Sequence, residues 1–229
     1  MPNSGTRLNR RLVELGLAAS RRKADELIVS GMVKVNGVAT TELVTFVEPT
    51  DIVTVNGKSG QVRDDILLRF HKPVGYISSH TRQGSAPTIF QLLPRAFHQL
   101  KIVGRLDRES EGLMLLTSSG DFVQRYSHPR NHVDKEYVVQ VDRTIDNQLL
   151  NLLKQPVKID GKPAQFDDIK RIDQYNIKVL LSEGRNRQIR RMLAQNGLEV
   201  VRLQRTRIGQ YQLDRLPVGH YEFAKLELP

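Results

Sequence analysis

The sequence predicts an α+β protein in two parts: a small helix-rich module over residues 1–60, then a larger domain over 61–229 with a central mixed, largely antiparallel β-sheet flanked by helices. Three observations predict it. At the start of the chain, helical spacing of apolar residues is confined to two short segments that run straight into β-like pieces. Beyond residue 60, β-branched apolar runs outnumber helical ones, and the two kinds are interspersed. Between the parts lies "NGKSGQVRDD" (56–65), polar and glycine-bearing, with the character of a linker. A chain of 229 residues with 39% hydrophobic content suffices for two modest domains, each with a core.

In chain order, "TRLNRRLVELG" places Leu8, Leu12 and Leu15 at helical spacing, with Thr6 as the expected N-cap and Gly16 as the stop. Ser20 caps a second helix, "RRKADELIVSG", whose apolar stripe is Ala24, Leu27 and Ile28 and which Gly31 ends. "MVKVNG", "ELVTFV" and "DIVTVNG" read as short strands, the first with an Asn-Gly turn. In the second part "ILLRF", "KPVGYIS", "KIVG", "LMLLTS", "KEYVVQV", "IKVLLS" and "LEVVRL" read as strands, and "APTIFQLLP" as a helical turn ended by proline. "TIDNQLLNLLKQ" and "NRQIRRMLAQNG" carry helical periodicity.

Charge narrows the function. Lys and Arg number 35 against 25 Asp and Glu, a formal charge of +10. Such a surplus favours a polyanionic partner, because each phosphate contact releases a condensed counterion. Arg7, Arg10, Arg11, Arg21, Arg22 and Lys23 fall on the two N-terminal helices, and Lys34 follows them. Arg7 and Arg11 are one helical turn apart and off the leucine stripe, a spacing that can track a phosphate backbone. The absence of cysteine excludes disulfide and thiolate chemistry and fits a reducing compartment. No segment has the apolar length of a signal peptide or of a membrane span, which needs about 18 residues. The expectation is a soluble, cytoplasmic protein with no membrane partner.

The densest charge pattern is "GRLDRESEG" (104–112), in which arginines flank Asp107 and glycines bracket the whole. A calcium loop is one reading, but counting from Asp107 its twelfth position is Ser118, not Glu. No histidine cluster has ligand spacing either, so no metal is expected, and a metal-dependent nuclease resting on Asp107, Glu109 and Glu111 ranks last. Surface salt bridging is the second reading, and exposed pairs contribute only ~0–1 kcal/mol. The third is a recessed, ionised aspartate on a loop between two strands, with Arg105 on its face and Gly104 and Gly112 permitting sharp turns.

Two resemblances bear on the choice. "SRRKADELIVSGMVKVNG" resembles the core of the RNA-binding domain named after ribosomal protein S-four. "GRLDRESEGLMLLTSSGD" closely resembles the catalytic motif of the pseudouridine synthases, in the subfamily that acts on single sites in bacterial ribosomal RNA. The likeness continues in the family's order through "HKPVGYISS", "PTIFQLLP", "KEYVVQV", "EGRNRQIRRML" and "LQRTRIGQYQLDRLPVGHY". Ser110 where the family often has threonine, "TSSGD", and "GHYEFAKL" without the usual arginine are departures that leave the aspartate untouched.

The resemblance implies a cofactor-free isomerisation of uridine. Asp107 is then the reacting carboxylate, as nucleophile at C1′ or base at C2′. Tyr137 is the active-site tyrosine, and Arg190 the basic residue that pairs with the aspartate. Arg105 and Leu116 are expected to line the uracil pocket, and Arg108, Arg187 and Arg191 to contact RNA. Lys135, Arg185, Arg205 and Arg207 add dispersed positive charge for the backbone of an extruded nucleotide. The expected partner is ribosomal RNA or a subunit precursor, bound by a monomer. "PTIFQLLP" and "EGRNRQIRRM" incline toward large-subunit 23S RNA over small-subunit 16S RNA. A non-catalytic RNA-binding assembly factor is the alternative from another class.

Overall fold

The computed structural model describes residues 5–62 and 64–228, and its contacts divide the chain into two compact units between residues 64 and 65.

In the N-terminal unit α1 spans Leu8–Glu14 and α2 spans Arg21–Val29. Leu8, Leu12, Ala24 and Ile28 pack with Val33, Val47, Val53 and Val55 into one core. Ser20 caps α2 as the sequence predicts, its Oγ accepting from the Lys23 amide at 3.1 Å. Thr6 does not cap α1. It pairs with Val47 in a two-residue strand, and Arg7, without a side-chain cap bond, precedes the helix. Four short strands pair antiparallel in the order Val38–Ala39, Val33–Val35, Val53–Val55, Lys58–Ser59. Asn36 and Gly37, and again Asn56 and Gly57, take positive φ between paired strands, as two-residue hairpin turns require. Residues 56–59 of the expected linker are therefore a hairpin. Of "ELVTFV" only Phe46–Val47 is strand.

The C-terminal unit carries a sheet of nine strands among the described residues. Numbered within this sheet, they are β1 (Leu67–Lys72), β2 (Lys101–Val103), β3 (Glu111–Thr117), β4 (Lys135–Val141), β5 (Asp168–Arg171), β6 (Asn176–Leu181), β7 (Val200–Ile208), β8 (Tyr211–Gln212) and β9 (Tyr221–Phe223). The order is β5-β6-β4-β7-β3-β1-β9, with β8 paired to β7 and β2 to β3. Only β3 and β7 run parallel, Glu111 opposite Gln204 and Gly112 opposite Arg205; the other pairs are antiparallel.

Both faces are covered, which is why β3 reads as an unbroken apolar run and is buried along its whole length. Leu113 and Leu115 point to the face packed by α3 (Gly120–Ser127) through Phe122 and Tyr126. Met114 and Leu116 point to the other face. There they share a core with Leu153 of α4 (Asn147–Leu153) and with Ile189, Met192 and Leu193 of α5 (Gln188–Ala194). α3 is absent from the sequence reading; Ser119 caps it, its Oγ accepting from the Phe122 amide at 3.4 Å. A hairpin of Val157–Ile159 with Lys162–Ala164 also went unread, turning at Asp160 and Gly161, both at positive φ. "KPVGYIS" is not a strand. β1 ends at Lys72, Pro73 has no amide to continue a ladder, and Gly75 turns the chain at φ +93°.

Candidate active site

Asp107 sits on the loop that enters β3, beside the one parallel junction of the sheet. Gly104 and Gly112 bracket it at φ +72° and +111°. Gly112 is also a close approach: a Cβ there would lie 2.3 Å from the Arg205 carbonyl oxygen, so any side chain would force β3 off β7.

The loop backbone is held on several sides. Ser78 Oγ donates to the Leu106 carbonyl at 2.8 Å and accepts from the Leu106 amide at 3.2 Å. The Gly75 amide donates to the Arg108 carbonyl at 2.8 Å, and Arg108 Nε returns a bond to the Gly75 carbonyl at 3.2 Å. Three cations act on three loop carbonyls: Arg205 Nη1 on Arg105 at 3.3 Å, Arg190 Nη2 on Glu109 at 3.1 Å and Lys72 Nζ on Ser110 at 2.6 Å. The glutamates are struts, Glu109 exposed and Glu111 buried at the start of β3. Glu109 meets Arg187 at 2.5 Å, which holds its carboxyl below the usual carboxylate range, and Glu111 accepts from Arg202 Nε at 2.6 Å. Their divergence does not fit a shared metal, and among the described residues no group of three acidic, histidine or cysteine side chains could hold one.

The Asp107 carboxylate is half-buried and, among the described residues, takes part in no hydrogen bond or ion pair. Its charge is felt nonetheless. Lys72, 0% exposed, is pushed by burial down to about 8 against the pull of Asp107. Arg190 is lowered by burial and by Arg187, with Glu109 and Asp107 opposing. Tyr137, 9% exposed, stands on β4 directly across from Arg205 on β7, so its ring shares a sheet face with the guanidinium that grips Arg105. A carboxylate with no partner among the described residues, on a loop held by Lys72, Arg190 and Arg205, is equipped for nucleophilic or proton-transfer chemistry.

A family model described as RNA pseudouridylate synthase matches residues 66–195, more than half of the chain. The chain belongs to the RNA pseudouridine synthase family. An S4 domain model matches residues 6–53. The chain is 36% identical over 200 residues to an uncharacterized RNA pseudouridine synthase of Aquifex aeolicus, spanning 86% of this chain and 84% of that one. It is also 36% identical over 224 residues to the dual-specificity RNA pseudouridine synthase RluF of Escherichia coli, spanning 96% and 76%. A solved crystal structure of a pseudouridylate synthase superposes with a TM-score of 0.68 at 28% identity, covering 96% of each chain. The expected fold class, a mixed and mostly antiparallel sheet flanked by helices behind an S4 domain, is the one observed.

For this pseudouridine synthase the structure redistributes several expected roles. The ion pair between Arg190 and Asp107 is not formed. The Arg190 guanidinium is committed to carbonyls, Glu109 at 3.1 Å and Val200 at 3.0 Å, so it fastens the aspartate's loop and acts on the carboxylate through space. Leu116 is 0% exposed in the same core as Tyr137. Arg105 keeps its side chain exposed and lends its carbonyl to Arg205. Arg205 itself, 2% exposed, faces inward and presents no surface charge. Arg191 is held in a two-point contact by Asp160 at 2.6 and 2.9 Å. An open cleft of about 550 Å³ beside α5 is lined by Arg143, Arg187, Arg190 and Arg191, but not by Asp107 or Tyr137.

In the S4 unit Arg21, Arg22, Lys23 and Lys34 are exposed on α2 and the strand after it. Arg7 is exposed, lying over the Phe46 ring at 5.8 Å, and Arg10 is ion-paired with Glu14 at 2.8 Å. Arg11 does not track α1's outer face; it is half-buried and donates to the Pro49 carbonyl at 3.2 Å.

Sequence reasoning missed Lys72 and Ser78, and took Arg205 for a surface contact to the RNA backbone although it is buried. A signal existed for two of them. Lys72 follows Leu68 and Phe70, and Arg205 follows Leu203, at the period of two that marks an inward strand face, so a cation stands where an apolar residue belongs.

Proposed function

We propose that this enzyme isomerises one specific uridine of ribosomal RNA to pseudouridine, in the cytoplasm, without a cofactor, and that its target lies in large-subunit 23S RNA. The N1–C1′ bond breaks, the uracil turns, and a C5–C1′ bond forms. C5 gives up its proton and N1 gains one, so atoms balance without an oxidant or group donor. The observation that carries this reading is the Asp107 carboxylate, without a partner among the described residues, on a loop fastened from several sides. In this reading it meets the ribose of an extruded uridine, attacking C1′ or taking the C2′ proton. Tyr137 packs against the turning base and serves proton transfer at C5, and Arg190 fixes the loop. Extrusion costs a few kcal/mol, less from a loop or bulge, and basic residues such as Arg105, Arg108 and Arg187 offset it through phosphate contacts. The S4 unit supplies a second RNA contact through Arg7, Arg21, Arg22 and Lys34, which raises effective concentration at the first.

The test is expression of wild type and Asp107→Asn in cells lacking their own enzyme, with pseudouridine mapped across both subunits' RNA. Wild type should create a single new pseudouridine in 23S RNA, and D107N none, a loss of at least ~10³-fold. A new modification in 16S RNA would move the target. Tight RNA binding without isomerisation would make the chain an assembly factor.

A further inference from the structure

We propose that Arg205 is a positioning residue: a buried clamp that sets where the Asp107 carboxylate stands. The proposal rests on Asp107 being the reacting group.

Arg205 touches both ends of the Asp107 loop. Nη1 donates to the Arg105 carbonyl at 3.3 Å, two residues before the aspartate, and Nε donates to the Leu113 carbonyl at 2.8 Å, where the loop has become β3. Its backbone joins the same elements, standing opposite Gly112 across the parallel junction and opposite Tyr137 on β4. The close approach at Gly112 presses the two backbones together at that point. One residue thus joins the strand of the tyrosine to both flanks of the aspartate.

The arrangement is a poor way to gain stability alone. The side chain is almost wholly buried, it makes no ion pair among the described residues, and Nη2 is buried without a hydrogen-bond partner. Burying a charge is costly, and well-packed apolar residues of similar volume often replace even buried ion pairs at no loss to the fold. Its charge is also adverse to its neighbours: it adds to the burial that lowers both Lys72 and Lys135. What an apolar residue lacks is the planar fork that spans two carbonyls at a fixed separation, which lysine cannot reproduce either. The feature that needs fixing between those carbonyls is the loop bearing Asp107.

The experiment compares wild type with Arg205→Lys and Arg205→Met on full-length 16S and 23S transcripts. It measures RNA affinity, thermal melting and the single-turnover rate with folded enzyme in excess. Both variants should bind RNA within about twofold of wild type and lose about 30- to 100-fold in single-turnover rate, the cost of a displaced reacting group. A residue serving only the fold would lower the melting temperature and leave the rate per folded molecule unchanged. A folded variant within about threefold of the wild-type rate overturns the proposal. So does a loss of affinity in step with rate, which would make Arg205 a substrate contact. If R205M does not fold, R205K decides; if neither folds, Arg205 is a fold residue and the proposal falls. Asp107→Asn run alongside separates the failures: an active D107N removes the reading of Asp107, whereas an inactive D107N beside a fully active R205K removes only the role of Arg205.

Discussion

In the S4 unit Arg21, Arg22 and Lys34 project into solvent, whereas in the synthase unit Lys72, Arg190 and Arg205 turn inward onto backbone carbonyls. The side chains are of one chemical kind and differ in dielectric surroundings and in partners. An exposed cation acts at long range, attracts any polyanion and is screened by salt. A buried cation is screened little, costs free energy to desolvate, and acts on the few groups it touches. Surface cations therefore serve affinity, and inward cations serve geometry.

The largest expected effect tests the inward side through backbone alone. Gly112→Ala sets a Cβ 2.3 Å from the Arg205 carbonyl at φ +111°, while Gly104→Ala at φ +72° meets nothing within 4 Å. G112A should lose about 3 kcal/mol or more, or fail to fold, and G104A about 1 kcal/mol. Thermal melts of the pair measure it, and equal losses would deny that the strand junction matters.

Next is Lys72, whose pKa falls from 10.5 to about 8 when the chain folds. Below pH ~8 it is charged in both states and its desolvation cost stands in full. Between ~8 and ~10.5 only the unfolded chain holds the proton, so stability rises with pH across that window. The stability of wild type relative to Lys72→Met should therefore climb from pH 8 to 10 in urea titrations, with Lys135 present in both and cancelling. Parallel profiles would show that Lys72 is not burdened by burial.

The smallest effect belongs to the surface. Arg21→Ala with Arg22→Ala should weaken RNA binding about tenfold at moderate salt and flatten the dependence of log affinity on log salt by up to ~2. The single-turnover rate at saturating RNA should not change. If it fell, the division between affinity and geometry would break.

Much of this was open to a reader of the chain. β-branched, nearly continuous apolar runs gave β1, β3, β4, β6 and β7, the α5 stripe of Ile189, Met192 and Leu193 is buried as written, and Gly104 and Gly112 take the backbone that their places around Asp107 imply. The "HKPVGYISS" segment was legible as a motif but not as a mechanism, because its work lies in bonds from Lys72, Gly75 and Ser78 to residues some 30 positions later. Arg11 and Arg191 read as surface charges because helical spacing reports a face and not its partners; Pro49 and Asp160 hold them.

By itself the sequence determined the two-part α+β organisation and the family, and singled out the aspartate as the candidate reacting group, since these follow from local periodicity, charge balance and motifs contiguous along the chain. Only the tertiary structure decided that Arg190 grips a carbonyl rather than the carboxylate, that the glutamates are struts, and that Lys72 and Arg205 lie beneath the loop. The reason is physical: a charged side chain's role is set by its burial and its partners, and both are fixed by segments that meet from 38 to 100 residues away.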